Sequence, residues 1–94
     1  MKIDLKKFGE ILTSRAAGRD AGLTIKAYFK PLKNEKIELD FSNILAVGPS
    51  WLDEVLDILH REYGESRIVC LPSENASVVE SLKIIQSQRR PEED

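Results

Sequence analysis

Few side chains in this 94-residue chain are of a type and spacing that do chemistry. The most informative is Ser50, in the run Gly48-Pro49-Ser50-Trp51-Leu52-Asp53-Glu54, where a helix should open. A helix start gathers backbone N–H groups without intrahelical partners and the positive end of the helix dipole. A serine there can be a structural cap, or a place where phosphate is accepted and read. Asn43 and Gly48 in the preceding turn, with Trp51 and Asp53, would form a partner-binding surface around it. Trp51 flanks an apolar stripe, where such a residue is more often core or rim than an anchor for a partner, although tryptophan is enriched at interface hot spots. Ser14, Arg15 and Arg19 form a second cluster near another expected helix start. The two arginines, one turn apart, can hold an anion or a partner's carboxylate, or stay solvated. The segment Gly18-Arg19-Asp20-Ala21-Gly22 lacks the Gly-Lys-Ser/Thr ending of a P-loop.

The remaining reactive residue types are too few for catalysis. His60 is the single histidine and Cys70 the single cysteine, whereas a zinc site needs about four ligands. Cys70 lies in an apolar run and reads as a small core hydrophobe; being alone, it cannot form an internal disulfide. No Cys–His or Ser–His–Asp set can be argued from spacing, and Ser50 has no base near it in sequence. The expectation is therefore no enzyme, no cofactor and no metal. A net charge of -2 gives no basic excess for nucleic acid. No apolar run approaches the roughly 20 residues that span a bilayer, and residues 1–7 carry no signal-like stretch. A cytoplasmic protein without nucleic-acid or membrane partners is expected.

The elements that must position these residues follow from periodicity. Ile3-Asp4-Leu5 alternates like a short edge strand, and Phe8, Ile11 and Leu12 have helical spacing for a turn or two within 6–12. Thr13-Ser14 offers an N-cap to a helix from about 15 to 32, with an apolar stripe at Ala17, Ala21, Ile25, Tyr28, Phe29 and Leu32. Ser14, Gly18 and Gly22 form a line of small residues that allows close approach of another backbone. Ile37-Glu38-Leu39-Asp40-Phe41 alternates strictly, as in a strand with one buried face. Residues 42–49 connect it to a helix at 50–63, whose stripe is Leu52, Val55, Leu56, Leu59 and Tyr63, and which Gly64 stops. Arg67-Ile68-Val69-Cys70-Leu71 reads as a more deeply buried strand, and a last helix begins near Ala76. The fold class is a small α/β domain of βαβαβα order with a mainly parallel sheet. It spans residues 1–88, and 89–94 form a polar, disordered tail.

The run from Ile37 to Ile44, the Pro49-Ser50-Trp51-Leu52 helix start and the strand at 67–71 together resemble the STAS domain of bacterial anti-sigma factor antagonists. Short STAS-like proteins of unassigned function are similar in more detail. They share a Ser-Arg-x-x-Gly helix start, here Ser14 to Gly18, and a Pro-Ser-aromatic-Leu-Asp-Glu helix start, here Pro49 to Glu54. The resemblance covers residues 3–86. It implies a bacterial signalling domain that docks on a protein partner, an ATP-binding regulator that is both anti-sigma factor and kinase. That partner would phosphorylate the serine at the helix start, which corresponds to Ser50. The antagonist motif is acid-Ser-Ser-Gly-Leu, where this chain has Gly48-Pro49-Ser50-Trp51-Leu52. Two other readings stay open. One is a nucleotide or small-anion sensor, since both helix starts follow strand ends, where open α/β sheets bind ligands; the other is a purely structural subunit or dimer.

Overall fold

The computed structural model describes residues 1–89. Eight elements follow in the order β1 (Lys2–Asp4), β2 (Ile11–Leu12), α1 (Arg15–Tyr28), β3 (Ile37–Asp40), β4 (Ala46–Val47), α2 (Pro49–Tyr63), β5 (Ile68–Cys70) and α3 (Ala76–Arg89). Short 3₁₀ turns lie at Leu5–Phe8 and Glu65–Arg67. The main sheet is parallel throughout, with strand order β1-β3-β5. Lys2 lies opposite Glu38, and Ile37 opposite Ile68. β3 is central because its alternation buries Ile37 and Leu39 on one face and leaves Glu38 and Asp40 half-exposed on the other. Onto that face pack Ile3, Leu5, Ile25, Leu52, Val55 and Leu59, all buried. Each such side chain contributes roughly 1.5–3 kcal/mol by leaving water. The expected α/β class and parallel sheet are thus present, with three helices.

Several local expectations are corrected. Of the turn or two of helix expected within 6–12, one 3₁₀ turn is present at Leu5–Phe8, whereas Ile11 and Leu12 are strand. The chain leaves its 3₁₀ turn through Gly9 at φ 128° and extends into β2, a backbone angle that side-chain-bearing residues rarely adopt. β2 pairs in parallel with β4, so the connection at 44–47 contains a second, two-stranded ribbon. Two-residue strands carry too little alternation to be seen in a sequence. α1 stops at Tyr28 rather than near 32, as Pro31 disfavours helix in the residue before it. Its buried face is Gly18, Ala21, Gly22 and Ile25, while Ala17, Tyr28 and Leu32 are exposed. The helix thus turns its small-residue line inward. β5 is an edge strand and only half-buried, less buried than β3. Cys70 on it is half-buried as well, and desolvation pushes its thiol up to about 11. α3 runs one residue into the expected tail; the rest of that segment, 90–94, lies outside the described residues.

Candidate functional site

The starts of α1 and α2 are brought side by side by one residue. A Cβ placed on Gly18 would lie 2.4 Å from the Trp51 carbonyl oxygen and 2.8 Å from the Trp51 Cα. Only a residue without a side chain lets the two backbones meet here. Trp51 is consequently core: it is 1% exposed and packs its ring against Phe8, with centroids 6.4 Å apart and tilted by 55°. The expectation that Trp51 presents itself to a partner is corrected; its bulk anchors α2 against α1.

Ser14 caps α1 as its position suggests, its hydroxyl oxygen accepting from the Ala17 N–H at 3.1 Å. Arg15, the next residue, reaches across to α2. Its guanidinium lies 2.8 Å from Glu54 Oε2 and 3.5 Å from Asp53 Oδ2. Hydrogen bonding to Glu54, then to Asp53, raises the Arg15 pKa further above its ordinary value. The cation expected to face an anion is thus held by two carboxylates of its own chain. Arg19 is not drawn into this pair. It lines a shallow depression of about 220 Å³ with Leu23, Lys26, Ile58, Arg61 and Glu62. In that neighbourhood Lys26 pairs with Glu62 at 3.4 Å and Arg61 with Asp57 at 3.2 Å. Ser14, Arg15 and Arg19 therefore share one helix but do not converge on a common point.

Ser50 occupies the second position of α2. The N-cap is Gly48, Pro49 fills the first helical position, and no side chain caps the helix. Proline suits that place because its missing N–H is not needed there. Ser50 is half-buried and lies three and four residues before Asp53 and Glu54, on the same side of the helix. The loop before it is tightly built. Asp40 Oδ1 accepts from both the Ser42 N–H at 3.0 Å and the Ser42 hydroxyl at 2.7 Å. These bonds, the hydroxyl first, hold the Asp40 carboxyl below the usual carboxylate range; burial opposes them and Lys2 adds to them. Asn43 is exposed at φ 67°, in the left-handed region that asparagine tolerates. Gly48 is half-buried, and its N–H donates to the Leu12 carbonyl at 2.8 Å.

The ribbon beside this loop contributes residues that the sequence did not single out. Leu12 and Val47 face inward and are buried. Ile11 and Leu45, by contrast, are 66% and 67% exposed. The N–H groups of Leu45 and Ala46 both donate to the Glu10 carbonyl, at 2.9 and 3.0 Å. Both bonds go to one carbonyl at the entry to the ribbon, where Leu45 precedes β4 and stays exposed. The far edge of β4 is closed by α3. The Val47 N–H donates to Ser77 Oγ at 2.9 Å, and the Ser81 hydroxyl donates to the Val47 carbonyl at 2.8 Å. Asn75 adds bonds to the Ile44 and Leu45 carbonyls at 2.9 and 3.1 Å. The polar run Ser73-Glu74-Asn75-Ala76-Ser77 was the available signal for this clasp, since Asn and Ser gather at helix starts. Nothing in the sequence reported where their side chains would reach.

These features define a small α/β domain with a parallel sheet, two apposed helix starts and an apolar ribbon next to one of them. The chain belongs to the family described as the STAS-like domain of unknown function (DUF4325), whose model matches residues 23–77. The match includes the C-terminal part of α1, β3, the loop, all of α2 and β5. No curated protein and no solved structure matches the chain. No helix among the described residues is long and apolar enough to cross a membrane.

Proposed function

We propose that this domain is a non-enzymatic signalling or regulatory module that acts by binding another protein, in a bacterial and cytoplasmic setting. Its docking face would be the loop 42–49, the β2–β4 ribbon and the start of α2. The observation that carries this reading is the pair Ile11, on β2, and Leu45, just before β4, each about two-thirds exposed. Single exposed apolar side chains are ordinary, but neighbouring ones at a built loop favour a contact surface. β4 runs directly into the cap of α2, so Leu45 stands five residues before Ser50 in the chain. A phosphate on Ser50 would bring about -1.5 to -2 charges beside Asp53 and Glu54 and within the reach of α2's first N–H groups. It would also compete for Arg15, whose present partners are those two carboxylates. An ATP-binding kinase-like regulator is the partner that the STAS resemblance suggests for such a switch. The small-anion reading is disfavoured, since Arg15 is already engaged.

The experiment is capture of partners from the native host with wild-type, Ile11→Lys/Leu45→Lys, Ser50→Asp and Ser50→Ala proteins, with mass spectrometry of the native chain. The reading expects a partner that the double variant loses. It expects Ser50→Asp to weaken capture and Ser50→Ala to retain it. Capture unchanged by the double variant overturns the docking face. An effectless Ser50→Asp, together with an unmodified native Ser50, removes the switch and leaves the binding reading in place.

A further inference from the structure

Among the described residues, the strand edges of this fold are not equally protected. The outer edge of β1 carries Lys2 and Asp4, charges of the kind that discourage strand pairing. On β5 the Ile68 N–H is already bonded to the Glu65 carbonyl, and Cys70, whose backbone groups also face away from β3, is half-buried and followed closely by Pro72. The far edge of β4 is occupied by the hydroxyls of Ser77 and Ser81. β2 is different. The Ala46 N–H donates to the Glu10 carbonyl and the Gly48 N–H to the Leu12 carbonyl, so residues 10 and 12 direct their bonding groups at β4. By the alternation of a strand, the Ile11 N–H and C=O point the other way, and among the described residues no backbone group pairs with them. The Ile11 side chain is at the same time one of the most exposed large apolar groups, and Leu45, one residue before Ile11's partner Ala46, is another.

We infer that the open edge of β2 is a strand-addition site, which receives a short extended segment of the partner protein. This deepens the proposed docking function and rests on it. The occupant would pair its backbone with the N–H and C=O of Ile11 and lay an apolar, preferably β-branched, side chain on Ile11 and Leu45. Main-chain bonds would give affinity and the apolar contact selectivity, as in other edge-recognition modes. A second copy of the chain fits less well. Pairing β2 with β2 would contribute the same two large apolar side chains from each side, far short of the roughly 800 Å² per partner that a stable interface buries. A thin segment needs no such area and gives a transient contact.

The test uses a displayed library of random linear peptides, selected against the whole chain and counter-selected against the Ile11→Lys variant. That variant replaces a side chain already two-thirds in water, so it should fold, which circular dichroism checks. The expected winners alternate apolar and polar residues. The winning peptide should slow amide hydrogen exchange at Ile11, and Ile11→Lys should weaken its binding by at least about tenfold. N-methylation along the peptide should abolish binding at one position, the residue whose N–H meets the Ile11 carbonyl, and spare its neighbours. No enriched peptide, binding that Ile11→Lys leaves intact, or an N-methyl scan with no such position each overturns strand addition. If strand addition fails while the Ile11→Lys/Leu45→Lys variant still loses its captured partner, the docking face stands without it; if capture is also unaffected, both fall.

Discussion

Replacing Gly18 by alanine should destabilise this protein, although alanine is the better helix former. In an open helix the change gains about 1 kcal/mol. Here the new Cβ would stand 2.4 Å from the Trp51 carbonyl oxygen, 2.8 Å from its Cα and 2.9 Å from its carbonyl carbon. All three are backbone atoms at the start of α2, so no side chain can rotate away. Relief needs α1 and α2 to separate by about 1 Å, and a gap of that size forfeits a quarter to a half of each contact's attraction. The face that opens holds Ala21, Gly22 and Ile25 on one side and Trp51 and Val55 on the other. Overpacking of this kind costs about 1–3 kcal/mol, and rigid backbone on both sides puts Gly18 at or beyond the top of that range. After the propensity gain, the net loss is about 2 kcal/mol, or roughly 10 °C in Tm for a domain of this size. Gly22→Ala is the internal control. Its Cβ would meet Ile58 Cδ1 at 2.8 Å, the rotatable end of a side chain, and Ile58 Cβ at 3.2 Å, which must give by a few tenths of an ångström, and the change should cost clearly less than Gly18→Ala. Thermal and urea unfolding followed by circular dichroism measures both. A Gly18→Ala protein as stable as wild type, or as stable as Gly22→Ala, would refute the close approach of the two helices.

Three further outcomes follow from the geometry. Ser81→Ala strips the Val47 carbonyl of its buried donor and should cost about 1–2 kcal/mol in urea unfolding; no loss would mean that α3 does not hold the edge of β4. The carboxyl of Asp40 has its folded-state pKa lowered, chiefly by the Ser42 hydroxyl. Its stabilisation is therefore full above the ordinary value near 4 and is lost as pH falls through the lowered one. The stability gap between wild type and Asp40→Asn, measured at a series of pH values, should close in acid, and a gap that stays constant contradicts the assignment. The Cys70 thiol, pushed up to about 11 by burial, should be roughly one part in a thousand thiolate at pH 8. Iodoacetamide should label it slowly in the native protein and rapidly in urea, and equal rates would contradict the burial.

The helices and the three main strands were legible because their patterns are long or strict. The i, i+3, i+4, i+7 stripe of α2 and the alternation of 37–41 each allow one solution. α1 was legible in position but misread in facing. Counting Ala17, Tyr28 and Leu32 as its stripe gave weight to apolar side chains, whereas the helix buries Gly18 and Gly22, whose value lies in having no side chain. The two-residue strands were not legible at all, since their pairing is set by a turn at Gly9 and by backbone bonds to Glu10 and Leu12 rather than by pattern. For the same reason Ile11 passed as a helical residue instead of an exposed edge. Trp51 was open between core and surface until the position of Gly18 placed it inside. Arg15 was found in sequence, but its partners Asp53 and Glu54 lie 38 and 39 residues away and depend on the helix apposition.

The central claim, that the ribbon beside Ser50 is the docking face, is tested most directly by photocrosslinking inside cells of the native host. A photoreactive amino acid at position 45 should give a discrete protein adduct that disappears when Ile11→Lys is added. The same group at the exposed position 33 should not give that adduct. If position 45 yields only what position 33 yields, or if its adduct survives Ile11→Lys, the docking face has been placed wrongly.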